Sequence, residues 1–348
     1  MFLLHSVPTP PVGPDVRKRH LISTDQAVKK HRNSQSVDFS SHNTSRDDVV
    51  RYFMRIAALV GCRDDMYVMS RGWDILIRAL SVSSPGTASQ DVSAPPRSIK
   101  AIVIASISLG VEVAGDFEAP YIVSTAAWGR FFSFEISVPA ADYKGTDHLS
   151  KLDASDIESA CKDLMRLKLV ISAGLEWNLQ SRSSADIFTG LATKLIETTN
   201  CEDCETCLTL CANRTSLVAF AVPILNALSF YWLSQGVSPE VVGLMTLLVT
   251  HETFKARVAM SGSVVNRLRR ILSQARRSIE TNGLSECFLR LADRTYENAS
   301  VLLQARDLLV DDPAVILQLV DVYSPSPRTR SVLHDIDTTY QSLFGDAS

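Results

Sequence analysis

No stretch of this chain is apolar for long enough to cross a bilayer. The longest candidate, residues 217–233, is interrupted by Pro223, Asn226 and Ser229 and falls short of the roughly 20 residues a span requires. No secretory leader is expected either: Met1-Phe2-Leu3-Leu4 runs into Pro8, Pro10 and Pro11 with neither a charged start nor an apolar segment. The expectation is a chain that stays inside the cell, with its seven cysteines as thiols rather than disulfides. No HExxH, GxSxG, GxGxxG or Walker-type loop occurs, and four of the seven histidines fall before residue 46, so enzymatic activity is not expected. Charge of one sign is also lacking. A net charge of -3 gives no general drive toward nucleic acid or anionic membrane, so partners must be argued from local patches. Strand-like alternation is confined to residues 131–138, inside a connector, which leaves little support for β-structure.

What is present is helical periodicity. With 348 residues, 46% hydrophobic and 21% charged, the chain has room for two domains and a sizeable core. Residues 1–45 combine prolines and serines with two basic clusters, Arg17-Lys18-Arg19-His20 and Lys29-Lys30-His31-Arg32. This stretch reads as a disordered tail, either solubilising or carrying a bipartite nuclear-import signal. From Arg46, the residues Val49, Val50, Phe53, Ile56, Ala57 and Val60 follow the spacing of an amphipathic helix that ends near Gly61. Further helices are expected over 68–80, 99–109, from about Ala119-Pro120, and over 156–174. The third of these, KAIVIASISLG, has no polar face before Ser106 and Ser108.

The second half repeats the order, with helices over 185–197, 216–234, 239–253, 263–281 and from Leu284 onward. At its centre an apolar helix, a break at Gln235-Gly236 and a Ser238-Pro239 start lead into a helix apolar on nearly every side, which must be a buried hub. The expected class is therefore all-α, two tandem five-helix units at 46–181 and 182–345 behind the 1–45 tail.

This order resembles the cyclin family. Ser45-Arg46-Asp47-Asp48-Val49 is similar to the family's MRAIL-type start, and Arg78 in ILIRALS to the arginine of DRFLS. Ile104-Ala105-Ser106 matches the LAS of LASKFEE, and Leu175-Glu176-Trp177-Asn178-Leu179 the LxWxL that closes a first cyclin fold. Residues 314–324, ending Val322-Tyr323-Ser324, look like the segment that closes the second. The resemblance implies a regulatory subunit that binds and activates a cyclin-dependent-type Ser/Thr kinase in cell-cycle control, without cofactor, in nucleus and cytoplasm. The alternative it leaves open is a cyclin-fold adaptor or scaffold in transcription with no kinase partner.

The resemblance also implies sites. Kinase contacts fall on Ile104, Ile107, Ser108, Leu164, Lys168 and Ser172, and a remnant of the family's substrate-docking patch on Arg46, Val49 and Tyr52. Two departures stand out: Ile107 occupies the position of the family's gripping lysine, and Lys168 that of its glutamate, a reversal of charge. Either the kinase surface differs accordingly, or Ile107 is core and Lys168 a solvated helix residue.

Three other features draw on their own residues and not on the resemblance. Cys201, Cys204, Cys207 and Cys211 have the C-x2-C-x2-C-x3-C spacing of an iron-sulfur run, yet the same offsets fit one face of a helix without metal, the expected reading. His251-Glu252 reads as a helix-end polar pair, because neighbours one apart do not face each other. In 264–279 the apolar Val264, Leu268, Ile271, Leu272, Ala275 and Ile279 keep one face, while Arg267, Arg269, Arg270, Arg276 and Arg277 project elsewhere. That basic surface is either a solvated face or a contact for acidic partners or phosphate.

Overall fold

The computed structural model describes residues 37, 39, 44–82, 98–114, 128–129, 132–133, 154–198, 214–256, 264–285, 287–289 and 296–311. Among them all regular structure is helical. The main helices are α1 (Arg46–Val60), α2 (Met66–Val82), α3 (Ile99–Ala114), α4 (Ala154–Gly174) and α5 (Ser184–Thr198), followed by α6 (Arg214–Trp232), α7 (Pro239–Lys255), α8 (Val264–Asn282) and α9 (Tyr296–Asp311). All belong to one compact unit, Ser36–Ser348. The expected helix near Ala119-Pro120, the cysteine run, the closing segment 314–324 and residues 1–36 lie outside the described residues, and of 131–138 only residues 132–133 are described, both helical.

Local signals explain the helix ends. Ser45 caps α1, its Oγ accepting from the Asp48 N–H at 3.1 Å, and Asp47 and Asp48 face the positive end of the helix dipole. Ser238 caps α7 with Pro239 in the first turn, where the missing N–H costs nothing. Gly236 at φ 78° supplies the left-handed residue that separates α6 and its 3-10 extension, Leu233–Gln235, from that cap. α3 runs five residues past the expected end at Leu109, with the weak helix former Gly110 kept inside the helix where it packs closely against α2.

Two helices organise the packing. α3 lies against α1, α2 and α4, and every residue from Ala101 to Val111 is buried. α7 lies against α5, α6, α8 and α9, and every residue from Val241 to Phe254 is buried. Each hub helix makes one unusually close approach. A Cβ on Gly110 of α3 would stand 2.9 Å from the Gly72 backbone of α2, and one on Gly243 of α7 2.8 Å from Ile187 of α5 and 2.9 Å from the Ser184 carbonyl. A fully buried α7 can carry threonines because Thr246, Thr250 and Thr253 donate their hydroxyls to the carbonyls of Val242, Thr246 and Val249, at 2.9, 2.7 and 2.6 Å.

α2 joins the halves. Trp73 is sealed between Phe53 of α1, at 5.2 Å between centroids, and Phe230 of α6, at 4.8 Å, both edge-on. Its indole N–H donates to the Ser229 carbonyl at 3.1 Å, so this large buried ring has its polar atom satisfied. One apolar core runs through residues of both halves. Part of the expected tail belongs to it: Phe39 is buried against the core, and the Val37 N–H donates to the Ser234 carbonyl at 3.0 Å.

Candidate partner-binding surfaces

Ile104, Ile107 and Ser108 come from α3, and Leu164, Lys168 and Ser172 from α4. The two helices bring all six together, but as a seam rather than a surface, since none is more than 6% exposed. Lys168 lies on the α3 side of α4, where its Nζ pairs with the Glu112 carboxylate and donates to Ser108 Oγ at 3.3 Å. Its charge is thus met inside the molecule. It is not the solvated helix residue that a lone cation in an amphipathic helix suggests. Glu112, the only acid in α3, was the signal for this pairing.

The solvent side of α4 is different in kind. Met165, Leu169 and Val170 are large apolar side chains about half exposed, and Val82 at the end of α2 is exposed beside them. Between the two helices lies a groove of about 100 Å³, lined by Ala79, Val82, Ile102, Leu167, Val170 and Ile171. A soluble helix normally places polar residues at such positions, so this apolar cluster is a candidate partner-binding surface. Sequence pattern did not reveal it, because Met165, Leu169 and Val170 merge with the buried Leu164, Leu167 and Ile171 into one apolar run.

α4 ends in a strained turn. Glu176 and Trp177 both take left-handed backbone conformations, φ 53° and 60°, although neither is glycine. Such residues cost roughly 1–3 kcal/mol each unless their surroundings hold them. Here the Trp177 N–H donates to the Ser172 carbonyl at 2.7 Å, and Arg78 donates from Nη1 to the Asn178 carbonyl at 2.8 Å. The turn presents the Trp177 indole to solvent, 65% exposed.

Arg78 is also ion-paired with Asp74 at 2.9 Å, and Arg71 reaches Asp186 at 2.7 Å. The first pair lies within α2, and the second binds α2 to the first turn of α5. Burial pushes the Asp74 carboxyl above the usual aspartate value, against the pull of Arg78 and Arg71.

The docking-patch residues all lie on α1, and none of them is fully exposed. Val49 is buried, and Arg46 pairs with Asp47 at 3.2 Å and lies over the Tyr231 ring at 4.8 Å. Tyr52 is half-buried with the Arg55 guanidinium 5.0 Å from its ring. Arg46 therefore spans from α1 to α6, a packing contact between elements.

His251 and Glu252 correct an expectation. Instead of diverging at a helix end, both are buried and in contact, His251 Nδ1 to Glu252 Oε1 at 3.2 Å, because α7 is enclosed on every side near its C-terminus. Ser278 of α8 donates to Glu252 Oε2 at 2.5 Å, and the Lys255 ammonium is 3.8 Å away. Burial raises the Glu252 carboxyl, but the hydrogen bonds from His251 and Ser278, with the His251 and Lys255 charges, outweigh it and leave the pKa below the ordinary value. The carboxylate stands between hydroxyl and imidazole, so the imidazole is not placed to take the serine proton as a nucleophilic triad requires.

On α8, Leu268, Ile271, Leu272, Ala275 and Ile279 are buried, while Arg269, Arg270 and Arg277 are exposed. Arg276 pairs with Glu280 at 2.8 Å. Among the described residues no group of three or more His, Cys, Asp or Glu side chains is placed to hold a metal ion, and no helix is long and apolar enough to cross a membrane. Against this geometry, no protein-family model matches the chain and no curated protein is significantly similar to it in sequence.

Proposed function

We propose that this chain is a cyclin-like regulatory subunit that binds and activates a cyclin-dependent-type Ser/Thr kinase, with two tandem helical folds as its framework. The observation that carries the reading is the repeated order of the helices: α3 and α7, whose central residues are buried on every side, are surrounded by the helices next to them in sequence. The residues that resemble cyclin motifs lie in these helices and the turn between them: Arg78 in α2, Ile104-Ala105-Ser106 in α3 and Trp177 after α4.

The contact surface assigned to the kinase shifts outward by one layer. Ile104, Ile107, Ser108, Leu164, Lys168 and Ser172 support it from beneath, and Met165, Leu169 and Val170 meet the partner. Covering three half-exposed side chains of this size gives on the order of 3–4 kcal/mol before the costs of association. That is enough to bias a mobile kinase helix between two arrangements if only one of them fits. A second reading, an adaptor without kinase, draws support from the Lys168–Glu112 pair, which uses internally the charge that a kinase interface would need.

The test is affinity purification from the native cell with quantitative mass spectrometry, comparing wild type with a Leu169→Asp, Val170→Asp double variant. A Ser/Thr kinase recovered in equal amount with wild type and lost with the variant is the expected result. Recovery of transcription or scaffold proteins with no kinase overturns the proposal in favour of the adaptor.

A further inference from the structure

α8 carries five arginines, one glutamate and no lysine in a chain whose overall charge is -3. The arginines are ordered. Arg269 and Arg276 are seven residues apart, and so are Arg270 and Arg277, which on a helix places each pair nearly in line and about 10.5 Å apart along the axis. Two rows of guanidinium groups therefore run along the helix: Arg270 and Arg277 on the outer face opposite the buried stripe, and Arg269 and Arg276 about 100° round on its flank, where Arg276 is half-buried and paired with Glu280. The inner face is fixed by Leu268, Ile271, Leu272, Ala275 and Ile279 in the core against α7 and α9, so the rows are held on a rigid support.

We infer that the outer face of α8 is a docking surface for an acidic α-helix of a partner protein. Any α-helix with carboxylates seven residues apart repeats its charge at the same interval as these rows, so a helix laid along α8 brings both carboxylates opposite arginines at once. Arginine suits this better than lysine because its planar fork accepts a carboxylate through two parallel hydrogen bonds. Nucleic acid fits less well. Glu280 stands one turn beyond Arg276, paired with it, and a continuous phosphate backbone following the row must pass that carboxylate while the net negative charge of the chain opposes it. A helix can place a neutral or basic side chain there. The inference is independent of the kinase reading, since it uses none of the residues of α3 or α4.

The experiment is fluorescence anisotropy with the full chain and three labelled probes. One is a helical peptide with glutamates at seven-residue intervals along one face, the second has the same composition with the glutamates spread around the helix, and the third is a short DNA duplex. The in-line peptide is expected to bind about tenfold more tightly than the spread one, and an Arg269→Glu, Arg277→Glu variant to lose at least that factor. Arg269→Gln, Arg277→Gln, with an unchanged circular-dichroism spectrum and thermal midpoint, is expected to lose a smaller part of the same affinity, which separates loss of contact from loss of fold. Equal binding of the two peptides, binding unaffected by either variant, or tighter binding of the duplex overturns the inference.

Discussion

At the level of single residues, the polar groups of the interior say most about what the sequence conceals. Lys168, His251 and Glu252 look like surface residues by type, and all three are buried. Their burial depends on partners distant in sequence, Glu112 for the lysine and Ser278 for the glutamate, and a pattern read within one helix does not include them. Ile56, by contrast, is apolar at a periodic position, and its place in the core was legible. The Glu252 cluster makes a testable prediction. Its carboxyl titrates below the ordinary value of 4.5, so the folded state favours the ionised form. The resulting stabilisation is fully present above that value and is lost as the pH falls through the folded pKa. Glu252→Gln should cost about 2 kcal/mol near neutral pH, and urea unfolding should show the gap between wild type and variant closing as the pH is lowered past about 4.5. A gap independent of pH would mean that the ionised form contributes nothing.

At the level of elements, most amphipathic helices were legible to about two residues at each end, because cap and breaker chemistry is local: the Ser238-Pro239 start and the Gln235-Gly236 break are where the sequence places them, whereas the helix expected from Leu284 is described as α9 only from Tyr296. Distances between helices are not local, and there the glycines decide. Gly110→Ala should force α3 away from α2, and Gly243→Ala should force α7 away from α5, each losing about 1–3 kcal/mol in spite of alanine's better helix propensity. Gly190 in α5 is the internal control, since an added Cβ meets nothing within 4 Å. Gly190→Ala should stabilise by up to about 1 kcal/mol. Thermal unfolding of the three variants tests the set, and similar midpoints for all three would contradict the close approaches. The exposed apolar face of α4 was not legible, for a related reason. Which of two adjoining apolar stripes is covered depends on where α3 lies.

For the whole molecule, the sequence suggests two successive helical units, and the packing shows how strongly they are joined. Trp73 on α2 touches Phe53 on one side and Phe230 on the other, and the Arg71–Asp186 pair ties the same helix to the start of α5. Trp73→Ala should remove about 3–5 kcal/mol and, because the ring is shared by both halves, should split a single denaturant transition into two. A variant that unfolds in one step with only a lowered midpoint would show that the other contacts between α2 and the second half suffice to couple them.

The turn after α4 has an optical consequence. Of the four tryptophans in the chain, Trp73, Trp128 and Trp232 are buried and Trp177 alone faces water. Quenching by iodide therefore acts on one indole, at the end of the helix whose outer face is apolar. A molecule that settles over that end must shift its emission to the blue and shield it from iodide, while the emission of the three buried rings is unchanged. The protein thus carries its own reporter for occupancy of that surface, without a label.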